Sequence, residues 1–195
     1  MATSFREDVD FVSGVGVYPG SFNPPTRAHL EIALAAQEVH GLHRVDLAVS
    51  AIALGKESVQ VPRFEERIEV IRASIEGIPG LGLIITRAQL IADISRGYDV
   101  VVMGADKWTQ VNDPSWYGDD AAERDAVVAR LPRLALAPRP PHAIPDAHRL
   151  PVAEDLLDIS SSAARDGRVD WMTEAARDFN HRTGAWTDPE NYRRP

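Results

Sequence analysis

Cysteine is absent from the 195 residues, which excludes disulfides, thiolate zinc sites and cysteine nucleophiles. Lysine is nearly absent too: Lys56 and Lys107 are the only two, against 19 arginines. Basic residues are outnumbered by 29 acidic ones, for a formal net charge of −8. That balance argues against a general nucleic-acid binder, which needs a basic surface to displace counterions from phosphates. A small anionic ligand remains compatible, because a few local cations and a helix N-terminus can hold a phosphate. No apolar run reaches the roughly 18 residues that a membrane span requires. The first residues, MATSFREDVD, lack an apolar core of signal-peptide length, so the expectation is a soluble protein of the cytoplasm.

Hydrophobic residues make up 44% of the chain, enough for a sizeable core, and the length suits one domain. Residues 1–183 are expected to form that domain and 184–195 a C-terminal tail. The valine-rich run at 14–18 stops at Pro19-Gly20 and reads as a first strand. RVDLAVS at 44–50, LGLIIT at 81–86 and DVVVMG at 99–104 read as further strands, with Leu134 to Ala137 a fifth and HRLPVA at 148–153 a sixth. Helices are expected between them, at TRAHLEIALAAQEVHG, RFEERIEVIRASIEG, AQLIADIS and 118–130, and two more at DISSSAARDG and DWMTEAARDFNHRTG. Strands alternating with helices predict an α/β fold: a Rossmann-like parallel sheet with helices on both faces. The proline-rich 137–145 stretch reads as a surface loop.

In such a sheet, ligands bind beyond the carboxyl ends of the strands, where the strand order reverses. The first strand ends at YPGSFNPPTRAHL. Thr26 and His29 are three apart at the start of a helix and share a face. Free N–H groups and partial positive charge there suit a phosphate, and a histidine can donate to charge building on a transferring phosphoryl group. The plainer alternative makes Thr26 an N-cap and His29 a surface residue. A second helix start lies at Asp158-Ile159-Ser160-Ser161-Ser162-Ala163-Ala164-Arg165. A hydroxyl and a guanidinium four apart can clamp a polyphosphate, although serines there also serve as ordinary caps.

Together, GSFNPPTRAHL resembles the GxFxPx(H/T)xGH signature of the nucleotidylyltransferase superfamily, and ISSSAAR resembles its ISSxxxR signature. VPRFEERIEVI, VVMGADKW and Trp116 are similar to features of the nicotinate and nicotinamide mononucleotide adenylyltransferases. The resemblance covers about residues 14 to 168. It implies that Gly20, Ser21 and Phe22 line a cleft with backbone close to the nucleotides. It implies that His29, helped by Thr26, binds the ATP phosphates and stabilises the pentavalent state. Ser160, Ser161 and Arg165 would hold the β- and γ-phosphates, and Asp106 would lie near a ribose or the base. Trp116, or failing that Trp108, would stack on the acceptor's ring, and Lys56 would lie near phosphate. Mg²⁺ would arrive with the ATP rather than at a metal site of the protein. The partners implied are ATP and a phosphorylated small-molecule acceptor, with a homo-oligomer left open.

Two positions depart from the signature: Thr26 replaces its first histidine and Ala28 its glycine. Threonine there, with the run ISSS, resembles the phosphopantetheine adenylyltransferases, so two acceptors stay open. The altered motif also keeps open a relative that binds nucleotide without turnover. His40 and His43 flank a helix end and are expected in solvent. His142, His148 and His181 have no metal-site spacing. Trp171 reads as core or an oligomer contact. Gly14 and Gly16 begin a dinucleotide fingerprint that Pro19 breaks.

Overall fold

The computed structural model describes residues 14–52 and 61–194. Five strands form one sheet among the described residues: β1 (Val15–Pro19), β2 (Arg44–Ser50), β3 (Leu81–Thr86), β4 (Val100–Gly104) and β5 (Arg133–Ala137). They pair in the order β3-β2-β1-β4-β5, all parallel. Alternation along each strand divides the apolar residues between two layers. Tyr18, Val45, Leu47, Val49, Val100 and Val102 pack on one face. That face is covered by Ala33 and Ala36 of α1 (Arg27–His40) and by Ile68, Ile71 and Ile75 of α2 (Phe64–Ile75). Val17, Ala48, Val101 and Met103 pack on the other, under Ile94 of α3 (Ile91–Ile94) and Ala105 and Val111 of α4 (Ala105–Val111). With both faces covered, the strands read as continuous apolar runs, and the sheet is the expected parallel α/β type.

Local sequence sets the boundaries. Helix α1 stops at Gly41, whose φ of 59° lies in the left-handed region that glycine enters without Cβ penalty. Helix α5 (Ala121–Val128) starts where the Asp120 carboxylate accepts from the N–H groups of Ala122 and Glu123 at 2.8 and 3.1 Å, three residues later than expected from sequence. Two elements differ from expectation. Helix α4 begins directly at the end of β4, and its seven residues are too few to show a helical period. The sixth strand does not form: 148–153 contributes a single bridge from Arg149 to Leu136, with Leu150 N–H donating to Leu136 O at 2.8 Å. Pro151 has no N–H to continue the ladder.

A third cluster joins Val70 of α2 to the C-terminal segment. That segment contains α6 (Ser161–Arg165), a single 3₁₀ turn at Val169–Trp171 and α7 (Glu174–Thr183). Met172, Ala176, Phe179, Ala185 and Trp186 fill the cluster. Residues 184–195, expected as a tail, therefore place two side chains in the interior: Ala185 and Trp186 are 1% and 3% exposed. Among the described residues, no helix is long and apolar enough to cross a membrane.

Candidate active site

The strand order reverses between β1 and β4, so the loops leaving their carboxyl ends lie side by side, where sheets of this kind form a ligand-binding crevice. The β1 loop runs from Gly20 to Thr26 and feeds α1, and the β4 end feeds α4, which carries Asp106 in its first turn. Ser21 is exposed, but Phe22 is buried at a φ of 43°. A non-glycine residue in that region is strained by about 1–3 kcal/mol and is held there by its surroundings. Its ring turns back under Gly20, so closely that a Cβ on Gly20 would lie 2.8 Å from it. The ring then meets Tyr18 edge-on at 5.4 Å and His29 edge-on at 5.0 Å. Phe22 thus contributes its ring as a floor under His29, with only its backbone left to line the cleft.

His29 is partly buried in the first turn of α1. The N–H of Thr26 donates to its Nδ1 at 2.9 Å, and the Thr26 hydroxyl lies 2.8 Å from the same nitrogen. A backbone N–H can only donate, so Nδ1 must carry the lone pair. Burial, and next the positive charge of Arg139, hold the imidazole pKa down at about 4 against the opposing charge of Asp106. The ring is therefore neutral at neutral pH, with its proton on Nε2. Thr26 itself is 0% exposed, and its polar contacts turn to His29 rather than to the surface. Burial, and next the charge of Asp106, also push the Tyr18 hydroxyl well above its ordinary pKa, keeping it neutral.

The second motif closes on the first. Ser160 caps α6, accepting from Ala163 N–H at 3.1 Å. Ser161 Oγ–H donates to the carbonyl of Pro24 at 2.7 Å, and the Arg165 guanidinium donates to the carbonyl of Asn23 and to Ser162 Oγ. The structure thus brings His29, Thr26, Ser160, Ser161 and Arg165 into one assembly around residues 20–26. Trp116 stands 57% exposed on a 3₁₀ turn after α4, whereas Trp108 packs against the second face of the sheet. Lys56 lies outside the described residues. Lys107, beside Asp106, donates to Gln110 Oε1 at 2.6 Å.

Arg139 is the residue that the sequence reading passed over. It lies in the proline-rich stretch read as surface loop, yet it stands two residues beyond β5 and its charge acts on His29. Its place just past a parallel strand was the available signal. His142 of the same stretch hydrogen-bonds Thr109 of α4 at 3.1 Å, tying the loop to the β4 side. Among the described residues, no three His, Asp or Glu side chains gather as a metal site.

The sequence model of the cytidylyltransferase-like family matches residues 17–167. A protein of Gloeobacter violaceus described as a probable nicotinate-nucleotide adenylyltransferase is 25% identical over 90% of this chain and 97% of its own. The phosphopantetheine adenylyltransferase of Rhodospirillum rubrum is 32% identical, but over 37% of this chain and 39% of its own length. The nicotinic acid mononucleotide adenylyltransferase of Plasmodium falciparum, solved in complexes with APC and with NaAD, superposes with TM-scores of 0.63 and 0.61. Each superposition covers 86% of this chain and 94% of the other, at 16% and 15% identity, and so speaks for the fold.

Proposed function

Because this chain belongs to the cytidylyltransferase-like family, we propose that it transfers the adenylyl group of MgATP to the phosphate of nicotinate or nicotinamide mononucleotide, releasing pyrophosphate. The observation that carries this reading is a neutral His29, proton on Nε2, at the start of α1 beside the crevice. An acceptor phosphate is already anionic and needs no general base. Its oxygen attacks the α-phosphorus of ATP in line, a new P–O bond forms, and the bond from the α-phosphorus to the bridging oxygen breaks. Catalysis then consists of positioning and of stabilising the charge on the equatorial oxygens. His29 Nε2–H donates to an oxygen of the α-phosphoryl group as that charge grows, and the first-turn N–H groups of α1 add to it.

In this reading Ser160, Ser161 and Arg165 face the leaving pyrophosphate. Arg165 has five N–H donors and can serve the loop carbonyl and a phosphate together. Arg139 supplies positive charge near His29, Lys56 would add to it, and Asp106 meets a ribose hydroxyl. Trp116 offers its face to the acceptor's ring. The Mg²⁺ belongs to the substrate and masks the β- and γ-phosphates. A protein using ATP in this way would work in the cytoplasm.

Thr26 and the serine run favour a second acceptor, phosphopantetheine, and the match to the Rhodospirillum enzyme supports keeping it. The deciding experiment is pyrophosphate release from MgATP with nicotinate mononucleotide, nicotinamide mononucleotide and phosphopantetheine in turn. Turnover with a mononucleotide bears out the reading, and turnover with phosphopantetheine alone moves the acceptor. ATP binding with no release from any of the three would point to a nucleotide binder without turnover.

A further inference from the structure

Every backbone carbonyl from Asn23 to Pro25 accepts a hydrogen bond from the C-terminal segment: Asn23 from Arg165, Pro24 from Ser161, and Pro25 from the N–H of Thr173 at 3.1 Å. The next residue, Thr26, bridges antiparallel to Met172. One side chain in this stretch is held as well. Asn23 is 7% exposed, and its Oδ1 accepts from the indole N–H of Trp186 at 2.6 Å. Trp186 lies beyond residue 167, where the match to the family ends.

Trp186 is itself fixed from behind. Its backbone N–H donates to Asn180 Oδ1 at 2.9 Å, the backbone N–H of Thr187 donates to the same oxygen at 3.2 Å, and Asn180 Nδ2 donates to Thr187 Oγ1 at 2.9 Å. Its ring packs on Phe179 at 5.5 Å, inside the third cluster. The indole is therefore a fixed peg set by α7, and Asn23 is the residue hung on it. Three residues further along the loop is Thr26, whose N–H fixes the tautomer of His29. We propose that Trp186 is a positioning residue for the reaction: through Asn23 it sets the height of the 23–26 loop, and through Thr26 the aim of His29.

The proposal rests on the adenylyl-transfer reading for its rate effect, and it makes a second prediction that needs no turnover. Two variants remove the N–H: Trp186→Phe, and replacement of Trp186 by benzothienylalanine, which keeps the bicyclic shape with sulfur in place of N–H. Loosening of the loop by a fraction of an ångström is expected to lower kcat roughly ten- to a hundredfold. KM for MgATP should change by no more than about threefold, since the groups that bind the phosphates remain. In the same variants, NMR titration of His29 should move upward from about 4 towards the ordinary histidine range, as Thr26 loosens and water reaches the ring. Val70→Ala is the control: it thins the third cluster from the side of α2, leaving the bonds that fix the indole in place, and lowers the melting temperature, but leaves kcat and the His29 titration unchanged below that temperature. A benzothienylalanine protein with wild-type kcat and a wild-type His29 titration overturns the proposal. So does a Val70→Ala protein that loses as much rate as the Trp186 variants. If the unaltered protein turns over no acceptor, the functional reading fails, and the titration still decides the role of Trp186.

Discussion

His29 is kept neutral by burial and by Arg139, which leaves the Nδ1 lone pair to accept the N–H of Thr26 and hold the ring's aim, while Nε2 carries a proton in either state. The rate should therefore stay level as pH falls through 6.5, the ordinary histidine value, and drop only near 4, where Nδ1 takes up a proton and loses the N–H of Thr26. Stability follows the same group with a fixed sign. The unfolded chain binds the proton near 6.5 and the folded one only near 4, so stability is full above 6.5 and falls as pH drops between the two. Rate and chemical-denaturation profiles against pH check both statements. Replacing the ring altogether, as in His29→Ala, should reduce kcat by about two to three orders of magnitude, measured as pyrophosphate release. Thr26 and His29 were legible in the sequence because spacing and a helix start place them together. The neutral state and the buried hydroxyl of Thr26 were not, since the first depends on burial and on Arg139 from beyond β5, and Thr26 is bridged by Met172 of the C-terminal segment.

Among the elements, β2 and β3 carry a polar feature that apolar patterning hid. Asp46 of β2 is 6% exposed; it accepts from Arg44 Nε at 2.6 Å and from the Tyr98 hydroxyl at 3.1 Å. Burial and the neighbouring carboxylate push that tyrosine up to about 12. Gly82 of β3 leaves the room: a Cβ there would lie 2.1 Å from Asp46 Oδ1 and 2.5 Å from the Arg44 guanidinium. Gly82→Ala should thus break the trio and cost about 2–3 kcal/mol in urea unfolding, leaving kcat unchanged well below the melting temperature. The parallel strands showed in the sequence because burial on both faces makes them solid apolar runs. Helix α4 did not show, being shorter than two full turns and starting without a spacer after β4. The false sixth strand at 148–153 had the apolar pattern, but Pro151 removes the donor that a ladder needs.

Taken together, the sheet and its two helical layers make the frame, and the C-terminal segment makes the backing of the β1 loop. A chain ended at Thr183 keeps α7 but loses Ala185 and Trp186 from the third cluster. Loss of a buried tryptophan costs about 3–5 kcal/mol, so calorimetry should find this shortened protein markedly less stable. The polar stretch TDPENYRRP suggested a tail to the sequence reading, and nothing local marks the preceding Ala185 and Trp186 as interior. Their burial depends on partners in α2 and the β1 loop, which sequence neighbours cannot reveal.

The partners that finish the β1 loop stand far downstream: Ser161 is 137 positions from Pro24, while Arg165 and Trp186 are 142 and 163 from Asn23. The β1 loop is thus made well before the residues that complete it. A nascent chain halted short of residue 186 would already carry all five described strands, yet the loop that sets its histidine would lack one of its supports. A protease cut just after α7 that released the end of the chain would take the same support from the mature protein while the sheet stood.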